Sequence, residues 1–328
     1  MRAAWFESFG SARDVLQVGK KEMPVAGPGE VLIRVAASGV NPSDVKKRAG
    51  AFHNLLDDGF VIPNSDGAGV IEGVGEGIDS SRIGERAWIY QAQYARRFGT
   101  AAEYVAIDSR RAPKLPDNTS FEVGACLGIP VMTAHRCVFA DGDVSGQTLL
   151  VAGGAGRVGH YAVQWASQAG ATVIATASND DDKAACLAAG ASHVVNHRGS
   201  DVVSAIMAAT GGELVDRMVD VEFGGNLPVS VEVLRTGGTI ATYASTAVPE
   251  PRLPFYPMMY KDLTVRMIIV YAMPEEAKMH AVADIEKALT AEALQHRIAH
   301  MLPLEEIPRS NELVEQGGRR GAVILTIG

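Results

Sequence analysis

The chain has 328 residues, 47% hydrophobic and 21% charged, with 30 Lys and Arg against 38 Asp and Glu for a net charge of −8. That profile is of a soluble globular protein long enough for two ordinary domains. The negative balance argues against a nucleic-acid surface, which needs clustered Lys and Arg. The 3 cysteines, Cys126, Cys137 and Cys186, cannot build a four-cysteine zinc lobe and lack C-x-x-C spacing. No stretch approaches the roughly 20 apolar residues of a membrane span. The opening "MRAAWFESFG" has no apolar run and does not read as a secretory signal. A cytoplasmic setting with reduced thiols, and no membrane partner, is the expectation.

Taken in chain order, "GEVLIRVAASGV" and "RAWIY" predict strands bounded by Gly and Pro turns. "GAGVIEGVGEGI" places glycine at nearly every second position, which suits tight turns in a barrel-like sheet. "GTAAEYVAID" predicts another strand, and "APKLPDNTSFEVGA" a Pro-punctuated linker into a helix capped by Ser120. From about Gly124 strands and helices alternate. "QTLLVAGG", "ATVIATA", "SHVVNH", "LVDRMVDV" and "TIATYA" predict strands. "GHYAVQWASQAG", "DDDKAACLAAG", "SDVVSAIMAAT" and part of "LPVSVEVLRTGG" predict the helices between them. That alternation means a parallel sheet with helices on both faces. A strand in "LTVRMIIVYAM", a long helix from about Glu275 and a last strand, "AVILTIG", complete the chain.

"LLVAGGAGRVGHYAVQWA" holds G-x-G-x-x-G at Gly154, Gly156 and Gly159, with Ala155, Arg157 and Val158 between. A strand precedes it, a helix follows, and a second strand comes after, the setting that gives this otherwise weak pattern meaning. Its glycines let backbone N–H groups and a helix N-terminus approach a pyrophosphate. A site for NAD has Asp or Glu at the end of the second strand, on the ribose 2′-hydroxyl. Here Thr176, Ala177 and Ser178 stand in that place. Ser178 and Asn179 can donate to a 2′-phosphate, with Lys183, His197 and Arg198 as cations. Asp180, Asp181 and Asp182 fit the first turn of the next helix. NADPH is therefore favoured over NADH.

The chain resembles the zinc-free quinone oxidoreductases of the medium-chain dehydrogenase/reductase superfamily, the zeta-crystallin-like group. The likeness runs nearly end to end: "GPGEVLIRVAASGVNPSD", "NSDGAGVIEGVGEGI", "GTAAEYV", "GACLGIPVMTAHR", "GGAGRVG", "GASHVVNHR" and "GAVILTI". It implies an α/β protein with a GroES-like β-barrel catalytic domain from both chain ends (1–123 and 265–328). A Rossmann doubly wound nucleotide-binding domain (124–264) is inserted in it. It further implies an active site between the two domains, a homodimer or homotetramer, and a small-molecule quinone or enone as substrate. The reaction implied is NADPH-dependent reduction by hydride transfer. An enoyl-thioester reductase, using "KKR" (46–48) and "ARRF" (95–98) as a basic groove, and an NADPH-binding structural or RNA-binding protein are the alternatives.

Zinc enzymes of the superfamily have Cys near Asn41, and His with Glu near Ser65 and Asp66. Asn and Ser are poor zinc ligands, so no zinc is expected. Asn41 is read as a donor to the substrate oxygen that gains charge and as an Asx-turn residue before Pro42; its amide can serve both. Asp66 reads as a turn residue before Gly67. Relatives commonly have Tyr where this chain has Lys46, which is either a cation meeting developing charge or part of a solvated face. Tyr94, in "WIYQAQYARRF", is either a proton donor beside a flat substrate or part of a packing face with Trp88 and Tyr90. The family places a Thr beside the nicotinamide at Thr133, a strand end at Ala244 and Ser245, and a backbone segment facing the carboxamide at Met267, Ile268 and Ile269. Thr133 as a helix-interior residue and Met267–Ile269 as core strand are the competing readings. Arg157 stands where relatives usually have Gly.

Overall fold

The structure, a computed structural model, describes residues 1–318 and 320–328. Among the described residues fourteen strands run β1 (Arg2–Trp5), β2 (Gln17–Lys20), β3 (Glu30–Val40), β4 (Asp66–Val74), β5 (Arg86–Ile89), β6 (Tyr104–Asp108), β7 (Thr148–Val151), β8 (Thr172–Ala177), β9 (His193–Asn196), β10 (Val215–Asp220), β11 (Leu234–Thr242), β12 (Thr264–Met267), β13 (Ile298–Pro303) and β14 (Ala322–Thr326). The chain divides into one unit of Met1–Ile129 with Val282–Gly328 and a second of Pro130–Ala281. The second break falls later than the expected 264/265. β12 pairs in parallel with β11, Thr239 against Thr264 through Thr242 against Met267, and so belongs to the nucleotide-type sheet. Among the described residues no helix is long and apolar enough to cross a membrane.

The first unit is built on β3. Its sheet runs β13-β14-β3-β4-β5, and β6 also pairs with β3. Two register shifts against β4, at Leu32/Ile33 and between Val35 and Ala37, bend this 11-residue strand. Its first half thereby pairs with β6 and its second half with β14. The β1–β2 hairpin is tied on by bridges from Ala3 to Ala102 and Phe6 to Val61. The ladder is not continuous around a ring among the described residues; isolated bridges take the place of strand pairing. Ile33, Val35, Ile71, Ile89, Val105 and Leu325 fill the core. Each such buried side chain contributes about 1.5–3 kcal/mol. The glycines of "GAGVIEGV" lie on a strand rather than in turns. A Cβ on Gly69 would lie 2.0 Å from the Arg34 carbonyl oxygen, so close strand approach is what requires glycine there.

The second unit is a six-stranded parallel sheet in the order β12-β11-β10-β7-β8-β9. Read from the other edge this is the 3-2-1-4-5-6 order of a Rossmann fold, whose switch point lies between β7 and β10. Leu150, Ile174, Met218 and Ile240 lie in its core. In such sheets ligands bind outside the carboxyl ends of the strands, and there the functional residues of this unit gather.

Candidate active site

In the first unit, Asn41 caps the helix Pro42–Arg48, with Pro42 at its first position. The cap is reciprocal: the Asn41 side chain accepts from the Asp44 N–H, and Asp44 Oδ2 accepts the Asn41 N–H at 2.8 Å. Asn41 Nδ2 also donates to Asp66 Oδ2 at 2.8 Å. Asp66 is not a turn residue. It opens β4, is fully buried, and its Oδ2 accepts from the Ile129 N–H at 2.8 Å as well. Thr100 Oγ1 donates to the Asp66 carbonyl at 2.6 Å.

In the field of the Asp44 and Asp66 carboxylates lies a cation that sequence reasoning passed over. Lys47 is only 5% exposed. Its Nζ donates to the Gln93 carbonyl at 2.5 Å and to Ser65 Oγ at 3.3 Å, and Ser65 Oγ lies 3.3 Å from Asp44 Oδ1. Burial pulls the Lys47 pKa down, and the charges of Asp44 and Asp66 offset part of that. Lys46 is exposed, and so is Tyr94, at 45%. Of the aromatic run, Trp88 and Tyr90 form the packing face, buried with ring centroids 5.4 Å apart. The two basic runs do not make a groove: Lys47 and Arg48 are buried, Arg96 bonds the Ala106 carbonyl and Arg97 the Asp58 carbonyl.

In the second unit, β7 leads into the glycine turn. Gly153, one residue before the motif, has φ +65° and makes the reversal. Its N–H donates to Thr176 Oγ1 at 2.9 Å, and the Gly154 N–H to the Thr176 carbonyl at 3.0 Å. Thr176 thus faces the turn and pins it. A Cβ on Gly159 would lie 2.2 Å from the Gly153 carbonyl oxygen, so the turn and the first residue of the helix Gly159–Gln168 pack backbone to backbone. Ala155 is buried, and Gly156, Arg157 and Val158 lie half-buried along the turn. Only a chain without Cβ groups at these points brings a helix N-terminus this close to a strand end.

Beside it, β8 ends at Ala177 with Ser178 and Asn179 following. Asn179 caps the helix Asp180–Ala188: its Oδ1 accepts from the Asp182 N–H at 3.0 Å, and its Nδ2 donates to Asp182 Oδ2 at 2.6 Å. Asp180, Asp181 and Asp182 form that helix's first turn. The His197 N–H donates to the Ala177 carbonyl at 3.1 Å, which brings His197 and Arg198 to the end of β8. Partial burial, then the Arg198 charge, lower the His197 pKa. Lys183 is exposed one residue beyond the acidic turn.

Further along the same edge, Ala244, Ser245, Met267, Ile268 and Ile269 line one open pocket of about 450 Å³ beyond β11 and β12. Ile268 is buried while Met267 and Ile269 are exposed, so the segment is not core strand throughout. Ser245 Oγ accepts the Gly224 N–H at 2.9 Å, and the Ala244 carbonyl accepts the Phe223 N–H at 2.9 Å. Thr133 is buried inside the helix Met132–Phe139. Asp220, at the end of β10, is fully buried. Its Oδ1 accepts from the Glu222 N–H at 2.9 Å and from Asn226 Nδ2 at 2.7 Å, while Oδ2 has no partner among the described residues. Burial raises its pKa, against the pull of those bonds. Gly153 was legible as the first glycine of "GGAG"; Lys47, Asp220 and the inward turn of Thr176 carried no signal in the chain itself.

A Rossmann-order sheet and a GroES-like unit in one chain are the two parts of the medium-chain dehydrogenase/reductase fold. Residues 27–117 match the family described as the alcohol dehydrogenase GroES-like domain, and residues 158–287 the family described as zinc-binding dehydrogenase. The chain is 28% identical over 333 residues to the human quinone oxidoreductase, covering 100% of this chain and 98% of that protein. It is 27% identical over 316 residues to a 2-haloacrylate reductase of a Burkholderia species, covering 91% of each. The structure of mycobacterial Rv1454c complexed with NADPH superposes with a TM-score of 0.87 at 25% identity, over 99% of this chain and 100% of that one. In both units the chain is therefore similar to the quinone oxidoreductase, zeta-crystallin-like, group of that superfamily.

The zinc in the second family's description does not fit the residues found here. The nitrogen end of Asn41 faces Asp66, and an ammonium sits on Ser65, where a metal would need electron-pair donors. Among the described residues no three His, Cys, Asp or Glu are grouped to hold a metal ion.

Proposed function

We propose that this chain is an NADPH-dependent reductase of quinones and related α,β-unsaturated carbonyls, acting by hydride transfer without zinc. The observation that carries the cofactor choice is the end of β8. Among the described residues β8 itself ends without a carboxylate, at Ala177 followed by Ser178, and the His197 N–H on the Ala177 carbonyl brings His197 and Arg198 to that end. That set suits a 2′-phosphate. Asn179 stands beside it as the helix cap. The Asp182 carboxylate already engages its amide, so Ser178 is the stronger donor. The turn Gly153–Gly159 would hold the pyrophosphate. Thr133, Ala244, Ser245 and the backbone of Met267–Ile269 would take the nicotinamide end. The mycobacterial neighbour solved with NADPH and the human quinone oxidoreductase support the same assignment.

NADPH, when bound, supplies a hydride to an acceptor already activated by conjugation. The chain's part is to orient the acceptor, exclude water, and stabilise the oxygen that gains charge. Asn41 is the residue proposed for that last task. Its Nδ2 donates to Asp66 Oδ2 at 2.8 Å, which sets the direction of that amide. Exposed Lys46 and Tyr94 leave the proton of the hydroquinone to water. The test is loss of NADPH absorbance with 1,4-benzoquinone, 9,10-phenanthrenequinone and crotonyl-CoA as acceptors, repeated with NADH. Turnover with the quinones, faster with NADPH, is expected. No turnover with any acceptor despite tight NADPH binding would favour a non-enzymatic role, and preference for crotonyl-CoA an enoyl-thioester reductase.

A further inference from the structure

We propose that the Lys47 ammonium is the resident cation of the Asn41 site, a positioning residue that holds the Asp44 and Asp66 carboxylates and through them sets the direction of the Asn41 amide. This rests on the reading of Asn41 as the group that meets the substrate oxygen. Two carboxylates touch Asn41. Asp44 Oδ2 takes its backbone N–H, and Asp66 Oδ2 takes its side-chain Nδ2, each at 2.8 Å. Both lie in the field of one ammonium, that of Lys47. Groups facing Lys47 include Asp44 on its own helix, Ser65 just before β4, Asp66 at its start, and the Gln93 carbonyl from the loop after β5. Asp66 is faced in turn by Asn41 and the Ile129 N–H.

The neighbours of Lys47 in the chain do other work. Lys46 is exposed, and Arg48 bonds the Gly10 carbonyl and Glu315. Two buried carboxylates without a cation would be costly to keep ionised. A protonated Asp66 would accept from Asn41 less strongly, because a bond to a charged acceptor is about twice as strong as a neutral one. A cation at Nζ therefore keeps the nitrogen end of the Asn41 amide on Asp66 and fixes where that amide points. Replacing the set by apolar residues is often neutral for stability, so the arrangement is explained by direction rather than by strength.

The test uses the whole protein with Lys47→Met, close in volume and uncharged. With a quinone acceptor kcat is expected to fall by about tenfold or more. NADPH affinity, read by nicotinamide fluorescence, is expected to stay within about twofold, since the residues assigned to it lie in the other unit. A second readout needs no turnover. In the variant a buried carboxylate has lost its cation, so its pKa is higher than in the wild type, and the variant falls further below the wild type in stability as pH rises through that range. The deficit in Tm against the wild type should therefore be larger near about pH 8 than near about pH 5. Wild-type kcat in Lys47→Met, or the same Tm deficit at both pH values, overturns the proposal. Should that variant not fold, Lys47→Met with Asp66→Asn removes both charges. It is expected to fold, bind NADPH normally and keep the low kcat, whereas wild-type kcat in it, or failure of this variant also to fold, overturns the proposal. If the wild type turns over no quinone, the functional reading fails and the Tm comparison alone decides for Lys47.

Discussion

Thr176→Val isolates one hydrogen bond of the nucleotide turn. Valine keeps the β-branched shape that suits β8 and removes only the hydroxyl that accepts the Gly153 N–H at 2.9 Å. The Thr176 carbonyl still accepts from Gly154. Gly153 is left with an N–H aimed at a methyl group, at a cost of about 1–3 kcal/mol. In a protein of this size each kcal/mol lowers Tm by roughly 2–4 °C. If the turn loosens to the same extent before binding, NADPH affinity falls by up to about tenfold for each 1.4 kcal/mol. Thermal melts and NADPH fluorescence titrations on Thr176→Val and Thr176→Ser form the experiment. Serine keeps the hydroxyl and should lie near wild type in both, and kcat at saturating NADPH should be unaffected in either. A valine variant with wild-type Tm and NADPH affinity would show that the bond does not hold the turn.

Lys46→Met should leave kcat/KM for a quinone within about twofold of wild type, because Lys46 is exposed; a tenfold loss in steady-state assays would return it to the active site. Ser178→Asp should shift the ratio of kcat/KM from NADPH toward NADH, since a carboxylate at the end of β8 repels a 2′-phosphate and accepts from a 2′-hydroxyl; an unchanged ratio counts against the corner assigned here. Asp220→Asn should raise Tm, and more so near about pH 7 than near about pH 4. The Asp220 pKa is raised by burial, so the wild type loses stability as pH rises through that pKa, and asparagine has no such titration. A gain independent of pH would place the effect elsewhere.

The nucleotide unit was legible because its signals are local. "TLLV" before the glycines, a helix after them and "TVIATA" beyond reflect the βαβ geometry directly, and Asp180 to Asp182 start a helix as their charge suggests. β12 was misassigned to the other unit because a short apolar run does not say which sheet it joins; only its register against β11 does. Trp88 and Tyr94 shared one aromatic run, and backbone decides between them. β5 ends at Ile89, Gln91 and Ala95 adopt φ of 59° and 54°, and the alternation that buries Trp88 is broken before Tyr94.

The helix Pro42–Arg48 shows why the catalytic unit was harder. A helix is oriented from sequence by its apolar stripe, and each residue turns the direction by about 100°. Here the buried residues are Asp44, Val45, Lys47 and Arg48, and only one of them is apolar. With charges on the inward face the usual rule points the wrong way, and the choice between Lys46 and Lys47 becomes a choice between solvent and interior with nothing local to settle it. What settles it is supplied by distant parts of the chain: the Ser65 hydroxyl, the Gln93 carbonyl and the Asp66 carboxylate form the only kind of surroundings in which a buried ammonium is tolerated. Asn41 reads as a turn residue before Pro42, but neither its pairing with Asp44 nor their connection to a cation was legible, because partners 18 and 46 residues away from Lys47 leave no periodic trace. A polar site built from paired interior charges is thus invisible to patterning, and visible once β4 and the loop after β5 are brought against the helix.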